Sequence, residues 1–265
     1  MSLLQVTGLT VHSASGQLIL DDVSWSLDAG GRLGLIGESG SGKSMTALAI
    51  LGLLPEGMRA SGSVRLDGVE LLGMPARRLR RLRGAQVAMV FQEPLTALDP
   101  LMSIGRQIAG PLRLHHGLSK AAAAAEARRL CELVRLPDVT RVLESFPWQL
   151  SGGQRQRANL AMALACRPRV LLADEPTTAL DVTVQAEILE LLGDVVSQTE
   201  TALVFISHDL PVVAQLVTDL VVMRDGAVLE RATVDRVFSG AEHPYTRTLL
   251  DSARAITRLP EGTAR

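Results

Sequence analysis

Short apolar runs dominate the two ends of the chain, and a long helical pattern fills the middle. Residues 3–9 and 18–27 predict β segments. Residues 32–37 are apolar and lead into a glycine-rich turn. The stretch 43–54 carries a helical pattern that Pro55-Glu56-Gly57 stops. Residues 63–66 with Asp67-Gly68 predict a hairpin strand and its turn, and 86–91 another buried-type strand. From about Ser103 to Cys166 only helical patterns occur, including an alanine run at 121–125. Strands return at 170–173, 203–207 and 220–223, separated by helices over 182–197 and 210–216. Apolar strands alternating with helices predict a parallel sheet covered on both faces. The helical block is then an insertion into an α/β core. No internal repeat or low-complexity linker interrupts it, and the polar stretch after Leu259 is expected to fray.

Composition narrows the setting. Of 265 residues, 47% are apolar and 21% charged, the balance of a soluble globular protein. A net charge of −1 provides no global field for nucleic acid or anionic lipid. Cys131 and Cys166 lie far apart without metal-site spacing, which fits a reducing cytoplasm and argues against a disulfide framework. The first residues do not read as a signal peptide. No uninterrupted apolar segment approaches the ~20 residues of a spanning helix, so a membrane role requires a partner. With 1 Tyr and 4 Phe, an aromatic platform for single-stranded nucleic acid is not expected. The basic run Arg77, Arg78, Arg80, Arg81 and Arg83 is local, and Leu79 and Leu82 fit one buried stripe. A solvated helix face explains it better than a nucleic-acid site.

Candidate chemistry sits at the predicted strand ends. Gly37-Glu38-Ser39-Gly40-Ser41-Gly42-Lys43-Ser44 lies between a strand and a helix, where a phosphate-binding loop must lie. Glycines let successive N–H groups face an anion, Lys43 supplies charge to β/γ-phosphates, and Ser44 offers a hydroxyl to Mg²⁺. Asp174 and Glu175 end an apolar strand, at the sheet edge where open α/β sheets bind ligands. Alone they would read as a capping pair before Pro176. Beside a phosphate loop, Asp174 becomes a candidate for Mg²⁺ and Glu175 a candidate to activate water. Gln92 and His208 follow two further strands and are expected at the same edge. A second glycine-rich motif, Leu150-Ser151-Gly152-Gly153-Gln154, cannot reach phosphates held by its own Lys43. That suggests a nucleotide shared between two subunits.

Read in order, these motifs resemble those of the ATP-binding subunits of ABC transporters, over nearly the full length. They are the phosphate loop 37–44, Gln92, the signature 150–154, Asp174-Glu175, Ala179-Leu180-Asp181 and His208. The resemblance implies a P-loop NTPase core of ABC ATPase type with an antiparallel β subdomain and an inserted all-helical subdomain. The core would span 1–102 and 158–240, the helical part about 103–157 and a C-terminal tail 241–265. ATP and Mg²⁺ are the implied cofactors. Gly37, Ser39, Gly40, Gly42, Lys43, Ser44 and Met45 would bind nucleotide, with Ser44, Gln92 and Asp174 on the metal. Glu175, His208 and Gln92 would be catalytic. Ser151, Gly152, Gly153, Gln154 and Asp181 would complete the site of a second ATPase subunit. Further implied partners are two membrane-spanning permease subunits and an extracytoplasmic substrate-binding protein, with no nucleic acid. The chain would sit peripherally on the cytoplasmic face of the membrane. The rival class is a soluble ABC-type ATPase acting on DNA or ribosomes, but no coiled-coil insertion, zinc cysteines or second cassette is present.

The segment 91–100, the run 174–183 and His243-Pro244-Tyr245-Thr246 are similar to motifs of oligopeptide, dipeptide and nickel importers, as is Phe146-Pro147-Trp148-Gln149 before the signature. Two departures stand out. The family stacks adenine on an aromatic residue before the first hairpin, and here Thr10-Val11-His12-Ser13-Ala14 has none, so that either His12 stacks on the base or Val11 packs against it. The chain also ends at Arg265 with no cysteine after Cys166, which leans toward nickel or metallophore importer subunits and leaves a short peptide-importer subunit as the alternative.

Overall fold

The computed structural model describes residues 2–92, 97–178 and 180–257. The 93–96 part of the segment after Gln92, Ala179 and the polar end after Leu259 lie outside these residues. In chain order, β1 (Ser2–His12) and β2 (Leu18–Asp28) form a long hairpin, β3 (Arg32–Ile36) enters the core and α1 (Lys43–Leu51) leaves it. β4 (Arg59–Leu66) and β5 (Val69–Glu70) return to the hairpin. These strands make an antiparallel sheet in the order β2-β1-β4-β5. α2 (Ala76–Leu82) and β6 (Val87–Val90) follow. Helices then take over: α3 (Ile104–His116), α4 (Lys120–Leu133), α5 (Val139–Glu144), a short 3-10 turn (Pro147–Gln149) and α6 (Gly152–Leu164). The chain continues through β7 (Val170–Asp174), α7 (Val182–Thr199), β8 (Ala202–Ser207), α8 (Leu210–Ala214), β9 (Asp219–Arg224), β10 (Ala227–Thr233), α9 (Val234–Gly240) and α10 (Pro244–Thr257).

The second sheet has the order β10-β9-β3-β8-β7-β6. All its neighbours pair in parallel except β10, which closes the edge antiparallel to β9. Alternation divides its side chains between two cores. Leu203 and Phe205 of β8 and Leu171 and Ala173 of β7 face the helical side. Val204, Ile206, Val170 and Leu172 face α1 and the antiparallel sheet. Burial on both faces is why these strands read as continuous apolar runs. It also leaves their carboxyl ends as the place where polar residues can surface together.

Boundaries differ from expectation in physically simple ways. α1 ends at Leu51, before the expected 54, because Gly52 adopts the left-handed conformation and donates to Ala49 O. Arg83 seals that end by donating to Leu51 O and Gly52 O, both at 2.7 Å. It is thereby set apart from Arg77, Arg78, Arg80 and Arg81, which are exposed on α2. Strand β4 begins at Arg59, earlier than expected, because pairing with β1 carries it back to His12. Much of the expected tail is helical, as α10. Both cysteines are buried, and burial pushes the Cys131 thiol up to about 11, so it acts as a core residue.

Phe205 is 0% exposed at the centre of the parallel sheet. Phe205→Ala is expected to lower the unfolding free energy by about 3–5 kcal/mol, read from urea denaturation. A loss below ~1 kcal/mol would mean that the sheet does not depend on this packing.

Candidate functional site

At the end of β3 the chain turns at Gly37, where φ is 154° and an added Cβ would lie 2.1 Å from Met223 O. Only glycine permits that approach. The following loop curls into α1 through Gly42, at φ 98°. Lys43 is 4% exposed. Its ammonium donates to Gly37 O at 2.7 Å, Glu38 O at 2.8 Å and Ser41 Oγ at 3.3 Å, which uses all three protons within the loop. The backbone N–H groups of Ser39, Gly40, Gly42, Lys43 and Ser44 have no acceptor among the described residues. They border a cleft of about 760 Å³. Free amides at a helix start form a receptor for an anion.

The neighbouring strands deliver the polar groups to this cleft. The Ser44 hydroxyl donates to Asp174 Oδ1 at 3.0 Å. Glu175 continues the β7 ladder through N–H to Ile206 O, then leaves it with φ at 43°. A non-glycine residue there is strained, which is common where function fixes a side chain. Its carboxylate gathers three partners. Gln92 Nε2 donates at 3.2 Å and Thr178 Oγ1 at 3.0 Å to Oε2, while His208 Nδ1 lies 3.1 Å from Oε1. Met45 also lines the cleft. The structure therefore brings together the phosphate loop, Gln92, Asp174, Glu175 and His208.

The second glycine-rich motif lies elsewhere. Ser151 caps α6 in a reciprocal box, its Oγ accepting from Gln154 N–H at 3.3 Å and Gln154 Oε1 accepting from Ser151 N–H at 3.0 Å. A Cβ on Gly153 would lie 2.7 Å from Val184, and one on Gly152 would lie 3.3 Å from Leu180. Asp181 caps α7 by accepting from Val184 N–H at 2.9 Å. These residues sit beside one another and do not line the cleft around Lys43. His12 is not brought to the cleft either. It ends β1, paired with Leu18 and Arg59, and the lining residue from this hairpin is Ile19. Sequence reasoning missed Thr178, which sits three residues after Glu175. It also missed Glu38, Leu249 and the contact of Tyr245 with the loop.

Residues 20–178 match a family model described as ABC transporter. The chain belongs to the ABC transporter family. It is 45% identical over 269 residues to "Probable peptide ABC transporter ATP-binding protein y4tR" of Sinorhizobium fredii, covering 98% of this chain and 80% of that protein. It is 44% identical to "Oligopeptide transport ATP-binding protein OppD" of Salmonella typhimurium, covering 97% and 77%. Among solved structures, a dimeric post-hydrolysis state of the ATP-binding cassette MJ0796 bound to ADP and Pi superposes with a TM-score of 0.77 at 26% identity, covering 87% of this chain and 98% of that one. The protein is an ATP-binding subunit of the ABC transporter family, and its fold is that of the ABC ATPase cassettes.

Electrostatics of the cassette suit a polyanion with a hard cation. Burial lowers the Lys43 pKa, opposed by the charges of Glu175, Asp174 and Glu38. Burial raises the Asp174 pKa, offset by the Ser44 hydrogen bond and Lys43 and reinforced by Glu175. Each group is thus short of solvation that a ligand could replace. The donors beside the loop are oxygens from Ser44, Asp174 and Gln92. No cluster of three or more His, Cys, Asp or Glu suited to a metal occurs among the described residues. So sparse an oxygen set fits Mg²⁺, which keeps waters and phosphate oxygens as its other ligands.

Because the folded pKa of Asp174 is raised, the native protein holds this proton more tightly. Stability then falls as pH rises from the ordinary aspartate range through the raised value. Asp174→Asn keeps an oxygen for Ser44 and removes the buried charge, while Lys43 retains Glu175. Without nucleotide, the variant is expected to be more stable than wild type at neutral pH, with the gain shrinking in acid. Thermal unfolding across pH checks this, and a variant less stable than wild type at pH ~7 would refute it.

Proposed function

We propose that this cassette is the ATP-hydrolysing subunit of an ABC importer that drives peptide uptake with Mg²⁺ as cofactor. The observation that carries the reading is the Glu175 carboxylate, held by Gln92, Thr178 and His208 at the mouth of the phosphate-loop cleft. In this reading Lys43 exchanges loop oxygens for β/γ-phosphate oxygens. Gly37 opens the loop, the free amides of Ser39, Gly40, Gly42, Lys43 and Ser44 cradle the phosphates, and Met45 lines the same cleft. Ser44, Asp174 and Gln92 would hold the metal, which would supply positive charge to the phosphates. Glu175 orients a water and takes its proton, and His208 keeps that carboxylate in place and meets the γ-phosphate.

The signature residues Ser151, Gly152, Gly153 and Gln154, with Asp181, serve a second ATPase subunit. Their separation from Lys43 supports this, because a capped helix start that faces no ligand in its own chain is an anion site in waiting. MJ0796, a similar cassette, is described as dimeric. Two permease subunits and an extracytoplasmic binding protein complete the assembly, with this chain peripheral on the cytoplasmic face. No helix among the described residues is long and apolar enough to cross a membrane. We assign the core to 1–102 and 158–240, the helical part to about 103–157 and the tail to 241–265, noting that α6 runs across the border at 157.

Peptides are the proposed cargo. The relatives y4tR and OppD carry peptide names, and GsiA of Escherichia coli, 46% identical over 239 residues, is a glutathione import protein of which this chain covers 38%. The nickel or metallophore expectation rested on motifs similar to those of peptide and nickel importers alike and on the absence of a cysteine after Cys166, and these names do not support it. The same names disfavour an ATPase acting on DNA or ribosomes.

Glu175→Gln is expected to keep ATP binding while lowering hydrolysis by ~10²-fold or more in the assembled transporter. Turnover near wild type would remove Glu175 from its role. For the shared site, differently tagged Lys43→Ala and Ser151→Arg chains are mixed and the heterodimers purified. If two copies pair, one composite site carries both lesions and the other is intact, so ATPase activity is expected. Inactive mixed dimers beside active wild-type dimers would mean that each site is built within one chain.

A further inference from the structure

The segment His243-Pro244-Tyr245-Thr246 has no part in the reading above, yet the structure ties it to the phosphate loop. Glu230 on β10 is 8% exposed and accepts from the amides of Glu242 at 2.8 Å and His243 at 3.0 Å. His243 Nδ1 accepts from the Tyr245 amide at 3.1 Å, and Arg247 Nε donates to Ala241 O at 2.8 Å. These bonds fix the start of α10. From there Tyr245, 6% exposed, places its hydroxyl 3.1 Å from the Glu38 amide and accepts that N–H. The Arg224 guanidinium covers the ring, 5.0 Å from its centroid. One helical turn further on, Leu249 borders the nucleotide cleft.

Gly37 O and Glu38 N–H belong to the same planar peptide group. Lys43 holds its carbonyl end and Tyr245 its amide end. All three Lys43 protons are spent on the loop, so at least one bond must be released before the ammonium can meet a phosphate. If Gly37 O is the one released, Tyr245 remains as the side chain that holds this peptide. A flipped peptide would lose the tyrosine bond and change the curl of the amides beyond it. Packing alone accounts for the ring and for its contact with Arg224. The hydroxyl is needed for neither, so its bond to the loop calls for a separate reason.

We infer that Tyr245 is a positioning residue of the nucleotide site. Its hydroxyl fixes the Gly37–Glu38 peptide in the orientation that phosphates require, and so couples α10 to occupancy of the cleft. The inference rests on the nucleotide-binding reading above. Burial, reinforced by the Glu38 carboxylate, raises the phenol's pKa, so the group stays neutral and keeps this bond throughout the neutral range.

The test uses the full chain with ADP and a non-hydrolysable ATP analogue. Tyr245→Phe keeps the ring and removes the hydroxyl. Affinity for both nucleotides is expected to fall by roughly three- to tenfold, the worth of one hydrogen bond, with little change in thermal stability. Tyr245 is the 1 Tyr of the chain. Labelling tyrosine with ¹³C at Cζ therefore gives a single magnetic-resonance signal in the unmutated protein, which does not depend on how the variant folds. That signal is expected to move on adding ADP. A stationary signal in wild type, or unchanged affinity in a folded Tyr245→Phe protein, would overturn the coupling. A wild type that bound neither nucleotide would overturn the functional reading itself, and this inference with it.

Discussion

A buried ammonium must have its protons accepted, and Lys43 meets that demand with the backbone of its own loop. The rest of the site follows from this. The loop must curl tightly enough to offer two carbonyls to one nitrogen, which requires glycine at 37, where Met223 leaves no room for a Cβ. The same curl leaves the N–H groups of Ser39, Gly40 and Gly42 without an acceptor among the described residues. The fold thus creates a concave surface of unpaired donors beside a cation held in reserve. The carboxylates of Asp174 and Glu175, brought by the end of β7, oppose the lowering of that cation's pKa by burial.

Four strand ends converge because the sheet is parallel. β3, β8, β7 and β6 lie side by side in that order, so Gly37, His208, Glu175 and Gln92 emerge at one edge although they span most of the sequence. No local rule could assemble them. The two cores on either side of the sheet hold the strands in register, and a register error would disperse the site as well as expose the core.

That convergence explains what could be read from the sequence. Apolar runs of four to six residues bounded by polar ones located β3, β6, β7, β8 and β9 well, and with them every cleft residue that terminates a strand. The edge strand β10 was not visible, because Ala-Val-Leu-Glu-Arg-Ala-Thr neither alternates nor forms an apolar run. Helix α10 falls where a tail is expected, though its Tyr245, Leu249 and Leu250 carry helical spacing. Residue type alone points to His12, whereas the residue of this hairpin that lines the cleft is Ile19. The missed partners of Glu175 and Glu38, namely Thr178 and Tyr245, are contacts of tertiary geometry. The sequence marks these residues only as members of motifs.

One segment joins two sets of residues that would otherwise be independent. Asp174 ends β7 and Val182 begins α7, and between them lie both the strained Glu175 and the helix cap Asp181. Gly153 rests against Val184 of that same helix with no space for a side chain. A close-packed contact of this kind transmits displacement instead of absorbing it. A larger residue at 153 would therefore have to displace Val184, and with it the first turn of the helix that Asp181 caps.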